Sequence, residues 1–203
     1  MWKKFGVVAL ASMALPVVIA LPVVAAESGH RQHDAHVHGV GRADVALDGN
    51  RLMLELSIPA HDLVGFEHAP ATEQEHKTLE AAVARLRDGL SLFVPNPEAQ
   101  CSQTQVDVKS ALLEADQHDE DHHEAHQDDH HDHDADHGED EETHADFTLF
   151  YRFECRDGKQ LKQLRFEIFQ DFSGVSRLSV QFIGPAGQQG MKATPQQAVL
   201  NLQ

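Results

Sequence analysis

Imidazole and carboxylate side chains crowd two regions of this 203-residue chain, and both groups are ligands for divalent first-row cations. The larger region runs from Glu114 to Asp146, where nine histidines and sixteen carboxylates occur without one lysine or arginine. Its histidines are His118, His122, His123, His126, His130, His131, His133, His137 and His144, with no fixed spacing. A segment of one charge sign and low hydrophobicity buries too little apolar surface to offset chain entropy, so it is expected to be disordered. Ordering it around an ion costs entropy at every ligating residue, which predicts several weak sites rather than one tight one. Its negative charge attracts cations over the Debye distance, which favours rapid capture. A solvated acidic linker is the plainer reading, but aspartate and glutamate alone would supply solubility and leave nine histidines unexplained.

The second region, His30 to Gly39, is shorter and more specific: His30, His33, His36 and His38 precede the first strand-like run. If residues 35 to 38 are extended, His36 and His38 project from one face and both imidazoles reach one ion, with Gly39 and Gly41 relieving crowding or admitting a bulge. Tetrahedral zinc then needs one or two further ligands. The nearest donors in sequence are His61, Asp62, Glu67, His68 and His76. A lone histidine such as His61 or His76 is as readily a surface or helix-end residue. His68 lies in an irregular stretch, Gly65 to Pro70, where rigid neighbours could hold a ligand. The candidate scaffold ligands are therefore His36, His38, His61, Glu67 and His68.

Strands and one helix must position these groups. Ala43, Val45 and Leu47 alternate toward one side, Asp48-Gly49-Asn50 is a turn signal, and Leu52, Leu54, Leu56 and Ile58 alternate after it, which predicts an antiparallel hairpin ended by Pro59. Thr72 and Glu75 form a capping box, and Leu79, Val83 and Leu86 recur at helical spacing, which predicts a helix over 72–88 stopped by Gly89. Further strands are expected at 90–94, 101–113, 147–155, 164–169 and 178–183, with a weaker one near 199–202. The expected fold is α+β, mainly antiparallel β with six to eight strands in a sandwich-like arrangement, one main helix, and a long disordered His/Asp-rich insertion.

Lys3 and Lys4 followed by an apolar run and Val24-Ala25-Ala26 read as an export signal cleaved after Ala26. An uncleaved membrane anchor is the alternative, but Pro16 and Pro22 and the small-residue end favour cleavage. Residues 27–203 then form a single metal-binding domain interrupted by the loop 114–146. About half of the 33 acids lie in that loop, so the rest of the chain is close to neutral. Overall acidity argues against a nucleic-acid partner. The two cysteines, Cys101 and Cys155, bracket the loop. In an exported chain a disulfide is expected, worth ~4 kcal/mol on the chain-entropy model and pinning both ends of the loop. A thiolate metal pair is the alternative, disfavoured by the oxidising compartment and the lack of a Cys-x-x-Cys.

His36-Val37-His38-Gly39, the hairpin with Asp48-Gly49-Asn50, the Gly65-Phe66-Glu67-His68-Ala69-Pro70 segment and the His/Asp-rich insertion before the last strands together resemble the ZrgA-type periplasmic zinc-uptake proteins. The resemblance covers most of the chain after the signal. It implies an exported, non-enzymatic Zn(II) binder supporting import across the inner membrane beside an ABC-type importer or its binding protein, with a metal role at His36, His38 and His68. Enzymes are the rival class, because amidohydrolases and copper/zinc superoxide dismutases also use His-x-His pairs on strands. An amidohydrolase barrel needs roughly 250 residues, no histidine follows His144, and no His-Glu-x-x-His occurs. Residue chemistry alone leaves Zn, Ni and Cu open, although four scattered methionines argue against a cuprous carrier. A periplasmic metal buffer or store without a delivery partner is the alternative function. No small organic substrate is expected.

Overall fold

The hairpin expected at the start of the domain is the spine of the molecule. In the computed structural model, which describes residues 37–114 and 145–203, β1 (Val40–Asp48) pairs antiparallel with β2 (Arg51–Pro59) through a turn in which Gly49 takes φ +59°. The signal region, His30, His33, His36 and the nine loop histidines lie outside the described residues.

β2 pairs in turn with β5 (Asp146–Cys155), and β5 with β4 (Cys101–Lys109), both antiparallel. On the other side, β1 pairs in parallel with β7 (Arg177–Gly184), which turns back into β8 (Gly187–Ala193). The six-stranded sheet has the order β4-β5-β2-β1-β7-β8. A second sheet, β3-β6-β9, joins Phe93–Pro95, Gln163–Phe166 and Val199–Asn201.

The alternating patterns meet in one core. Leu52, Leu54, Leu56 and Ile58 of β2 and Phe147, Leu149, Tyr151 and Phe153 of β5 are almost wholly buried. Truncating any of these leucines to alanine is the kind of change that costs roughly 2–5 kcal/mol. The two sheets meet where Phe93 of β3 lies 5.0 Å from the Tyr151 ring and packs edge-on against Phe166. Helix α2 (Glu73–Arg87) covers the same core with Leu79, Ala82, Val83 and Leu86. Its capping box forms as the sequence predicts: Thr72 Oγ1 accepts from the Glu75 amide, and the Glu75 carboxylate accepts from the Thr72 amide. Tyr151 donates its hydroxyl to the carbonyl of Leu86 at 2.6 Å, fastening the end of α2 to β5. Burial pushes the ionisation of that phenol up.

The described residues hold nine strands, against six to eight expected. β8, with the sequence Gly-Gln-Gln-Gly-Met-Lys-Ala, has no apolar alternation and is defined by its ladder with β7. Residues 90–94, expected as strand, divide into the helical turn α3 (Gly89–Leu92) and the short β3. Gly89 is required by close approach: a Cβ there would lie 2.5 Å from both Tyr151 and the Gln103 amide oxygen. Likewise 164–169 divides into β6 and a helical turn, Ile168–Asp171. β4 ends at Lys109, short of the expected 113.

Cys101 and Cys155 form a disulfide, but its expected mechanical role is displaced. The two cysteines are register partners at the far end of the β4–β5 ladder, whereas the loop emerges at the opposite end, beyond the Lys109↔Thr148 pair. The ladder holds the mouth of the loop; the disulfide locks the base of the hairpin. No helix among the described residues is long and apolar enough to cross a membrane.

Candidate metal centre

At the end of the large sheet where the loop emerges, three segments meet. The first is the turn before β1, closed by the Val40 amide donating to the carbonyl of Val37 at 3.0 Å. This turn carries His38, so the part of 35–38 that is described does not continue as the extended segment considered from the sequence; Gly39 makes the turn with φ +81°. The second is α1 (Ala60–Val64), which follows Pro59 directly and is stopped by Gly65 at φ +89°. It carries His61 and Asp62. The third is the approach to β7, where Ser176 and Arg177 donate their amides to the carbonyl of Gly39.

His38, His61 and Asp62 are brought together so that one ligand atom from each lies within 4.8 Å of the others. Asp62 Oδ1 is 3.9 Å from His38 Nδ1 and 3.7 Å from His61 Nδ1. The imidazole rings stand 4.5 Å apart, tilted by 60°. Glu67 Oε1 adds a carboxylate 3.7 Å from His38 Nδ1. Zinc bonds of ~2.0–2.1 Å in a tetrahedron place donor atoms about 3.3 Å apart, so the carboxylate–imidazole pairs at 3.7–3.9 Å need to close by about half an ångström and the donor set as a whole, spread over up to 4.8 Å, by as much as about 1.5 Å.

Burial divides the donors by role. The Asp62 side chain is 2% exposed, while those of His38 and His61 are 57% and 52% exposed. A carboxylate withdrawn from water is costly unless it is hydrogen-bonded and faces positive charge. One oxygen is satisfied by the Gly39 amide at 2.7 Å. The other faces the two imidazoles, where a divalent cation would complete its compensation. The exposed imidazoles leave an open approach for the ion.

The candidate residues thus separate. His38, His61 and Glu67 converge with Asp62, a donor within reach in sequence but outside the candidate ligand set. His68 is directed elsewhere: its Nδ1 lies 2.9 Å from the Ala69 carbonyl and its Nε2 is 3.7 Å from Glu75 Oε1 at the cap of α2. His36 and the loop histidines lie outside the described residues. The signal that could have singled out Asp62 is local: Ala60, Leu63 and Val64 at helical spacing between Pro59 and Gly65 mark one helical turn. Such a turn places His61 and Asp62 side by side at the end of β2.

Residues 35–202 match the family described as "ZrgA family zinc uptake protein". This chain belongs to the ZrgA family. Comparison with curated proteins found no match. The matched span contains His38, His61, Asp62 and Glu67 together with the acidic loop, and membership gives the protein a zinc-related role. A ZrgA-family domain presenting two imidazoles and a fixed carboxylate suits Zn(II), which accepts nitrogen and oxygen donors without a geometric demand from its d-electrons.

Proposed function

We propose that this protein is an exported, periplasmic Zn(II) carrier: the loop 114–146 captures zinc, the site at His38, His61 and Asp62 receives it, and an inner-membrane importer of ABC type or its binding protein takes it over. The observation that carries this reading is the buried Asp62 carboxylate aimed at two exposed imidazoles. A three-donor site with an open position binds more tightly than an unstructured chain, yet exchanges its ion when a partner offers further ligands. The ends of the loop support transfer between the two. Ala145, the residue after His144, accepts a hydrogen bond from Ala60, the residue before His61.

Periplasmic export fits the lysine-flanked apolar start of the sequence, and a disulfide fits an oxidising compartment. Zinc is cargo here, and the protein binds and releases it without bond-making chemistry on a substrate.

The test is a competitive-chelator zinc titration of residues 27–203 beside a version with 114–146 replaced by a short neutral linker. Carriage requires one tight site to survive in the shortened protein while weak sites disappear. Loss of all zinc binding would make the loop the whole apparatus and the protein a metal buffer.

A further inference from the structure

Asp62 is held from two sides by residues that donate nothing to an ion. Its Oδ2 accepts the Gly39 amide at 2.7 Å. Gly39 is itself fixed, because its carbonyl accepts from the Ser176 amide at 3.0 Å, the Arg177 amide at 2.9 Å and the Ser176 hydroxyl at 2.7 Å. Behind Asp62, Gly174 presses on its backbone so closely that a Cβ at 174 would sit 2.4 Å from the Asp62 carbonyl oxygen. A Cβ at Gly39 would meet the Ser176 hydroxyl at 2.7 Å, and φ at 39 is +81°. The 174–176 segment therefore sets both the turn that carries His38 and the backbone that carries His61 and Asp62.

We propose that Ser176 and Gly174 are positioning residues for zinc: Ser176 fixes Gly39, whose amide occupies Asp62 Oδ2 and leaves Oδ1 for the ion, and Gly174 sets the backbone that carries Asp62. This rests on the reading of His38, His61 and Asp62 as the scaffold zinc site. The consequence is selectivity. Zinc in a four-coordinate site is satisfied by one carboxylate oxygen beside imidazole nitrogens. Calcium takes six to eight oxygens and draws on bidentate carboxylates. With Oδ2 already bonded to an amide, imidazole nitrogen at His38 and His61, and Glu67 as the one further carboxylate beside His38, the site offers calcium far fewer than its six to eight oxygens. Outer partners that orient a metal ligand typically contribute 10- to 100-fold in affinity. Ser176 acts one step further out, which places its effect at the lower end.

The experiment titrates the full chain with zinc against a competing chelator, with and without millimolar calcium, for wild type, Ser176→Ala, Ser176→Thr, Gly174→Ala and Asp62→Asn. Melting temperature in chelator is recorded for each. Expected are a loss of about tenfold in the tight zinc class for Ser176→Ala, recovery to near wild type in Ser176→Thr, a loss at least as large in Gly174→Ala, and calcium competition appearing only in the weakened variants. Ser176 is exposed, so its alanine variant should melt near wild type, which separates positioning from unfolding. If Asp62→Asn abolishes the tight class while Ser176→Ala and Gly174→Ala keep it, the positioning role is overturned and the site stands. If Asp62→Asn changes nothing, the site itself is wrong and the positioning role falls with it.

Discussion

Ala60 donates its backbone N–H to the carbonyl of Ala145 at 2.8 Å, and this bond joins the residue before His61 to the residue after His144. The pairing continues the β2–β5 ladder, whose last partners are Pro59 and Asp146, and Ser57 adds a side-chain bond to Asp146 at 3.0 Å. The described residues that follow the histidine-rich segment, Ala145 and Asp146, are thereby held beside the start of α1. On the proposed function, capture and receipt of an ion would be neighbouring events, because Ala145 cannot leave Ala60 without breaking strand pairing.

Replacing the converging histidines should therefore separate them from the one that points away. His38→Ala or His61→Ala is expected to weaken the tight zinc class by at least tenfold, since each removes one of three donors. His68→Ala, whose ring faces the α2 cap, should leave that class within about twofold, as chelator competition on the three variants would read out. Equal losses in His61→Ala and His68→Ala would contradict this arrangement.

Acid should release zinc. Protons compete with the metal for neutral imidazole, so affinity falls as pH drops from neutral toward 5, through the ordinary histidine range near ~6.5. Titrations at pH 7.5 and pH 5 giving the same affinity would exclude histidine ligation.

Acid should also loosen α2 by a different route. The Glu75 carboxyl is held below its usual range, chiefly by the Ala71 amide, then by the Thr72 hydroxyl and amide and by nearby His68. A depressed carboxyl contributes stability that is fully present above its unfolded value near ~4.3 and is lost as pH falls through the lower folded value. Melting temperatures of wild type and Glu75→Gln should therefore differ at neutral pH and converge at the acid end. A gap that stayed constant would show that the cap depends on shape and not on charge.

Reducing the Cys101–Cys155 bond should destabilise the fold without touching zinc affinity. The bond closes a 54-residue separation, and loss of such a cross-link typically costs about 2–5 kcal/mol. The metal site lies at the other end of the sheet from it. Calorimetry with and without reductant, paired with zinc titration below the melting transition, checks both halves.

Much of this architecture is legible in the sequence where local rules and burial agree. The Asp48-Gly49-Asn50 turn, the β2 and β5 alternations and the Thr72–Glu75 box each specify their element unaided. What the sequence hides is set by distant partners. β1 finds β7 in parallel across more than a hundred residues, and nothing in either strand's alternation names the other. β8 borrows its conformation from β7. The site shows the same division: the histidine-rich character of the region is plain, but the choice of His61 and Asp62 over His68 depends on one five-residue helix after Pro59. A helix that short has almost no periodicity to read.

The bond from Ser176 to Gly39 spans 137 positions of the chain, so forming it closes a long loop. Contacts of such separation form late, after the entropy of closing a long loop has been met by other structure. A chain without the 174–177 segment lacks the bonds from Ser176 and Arg177 to the His38 turn and the close backbone of Gly174 behind Asp62. The convergence of His38, His61 and Asp62 therefore belongs to the finished molecule. On the proposed function, tight zinc binding would thus report completed folding.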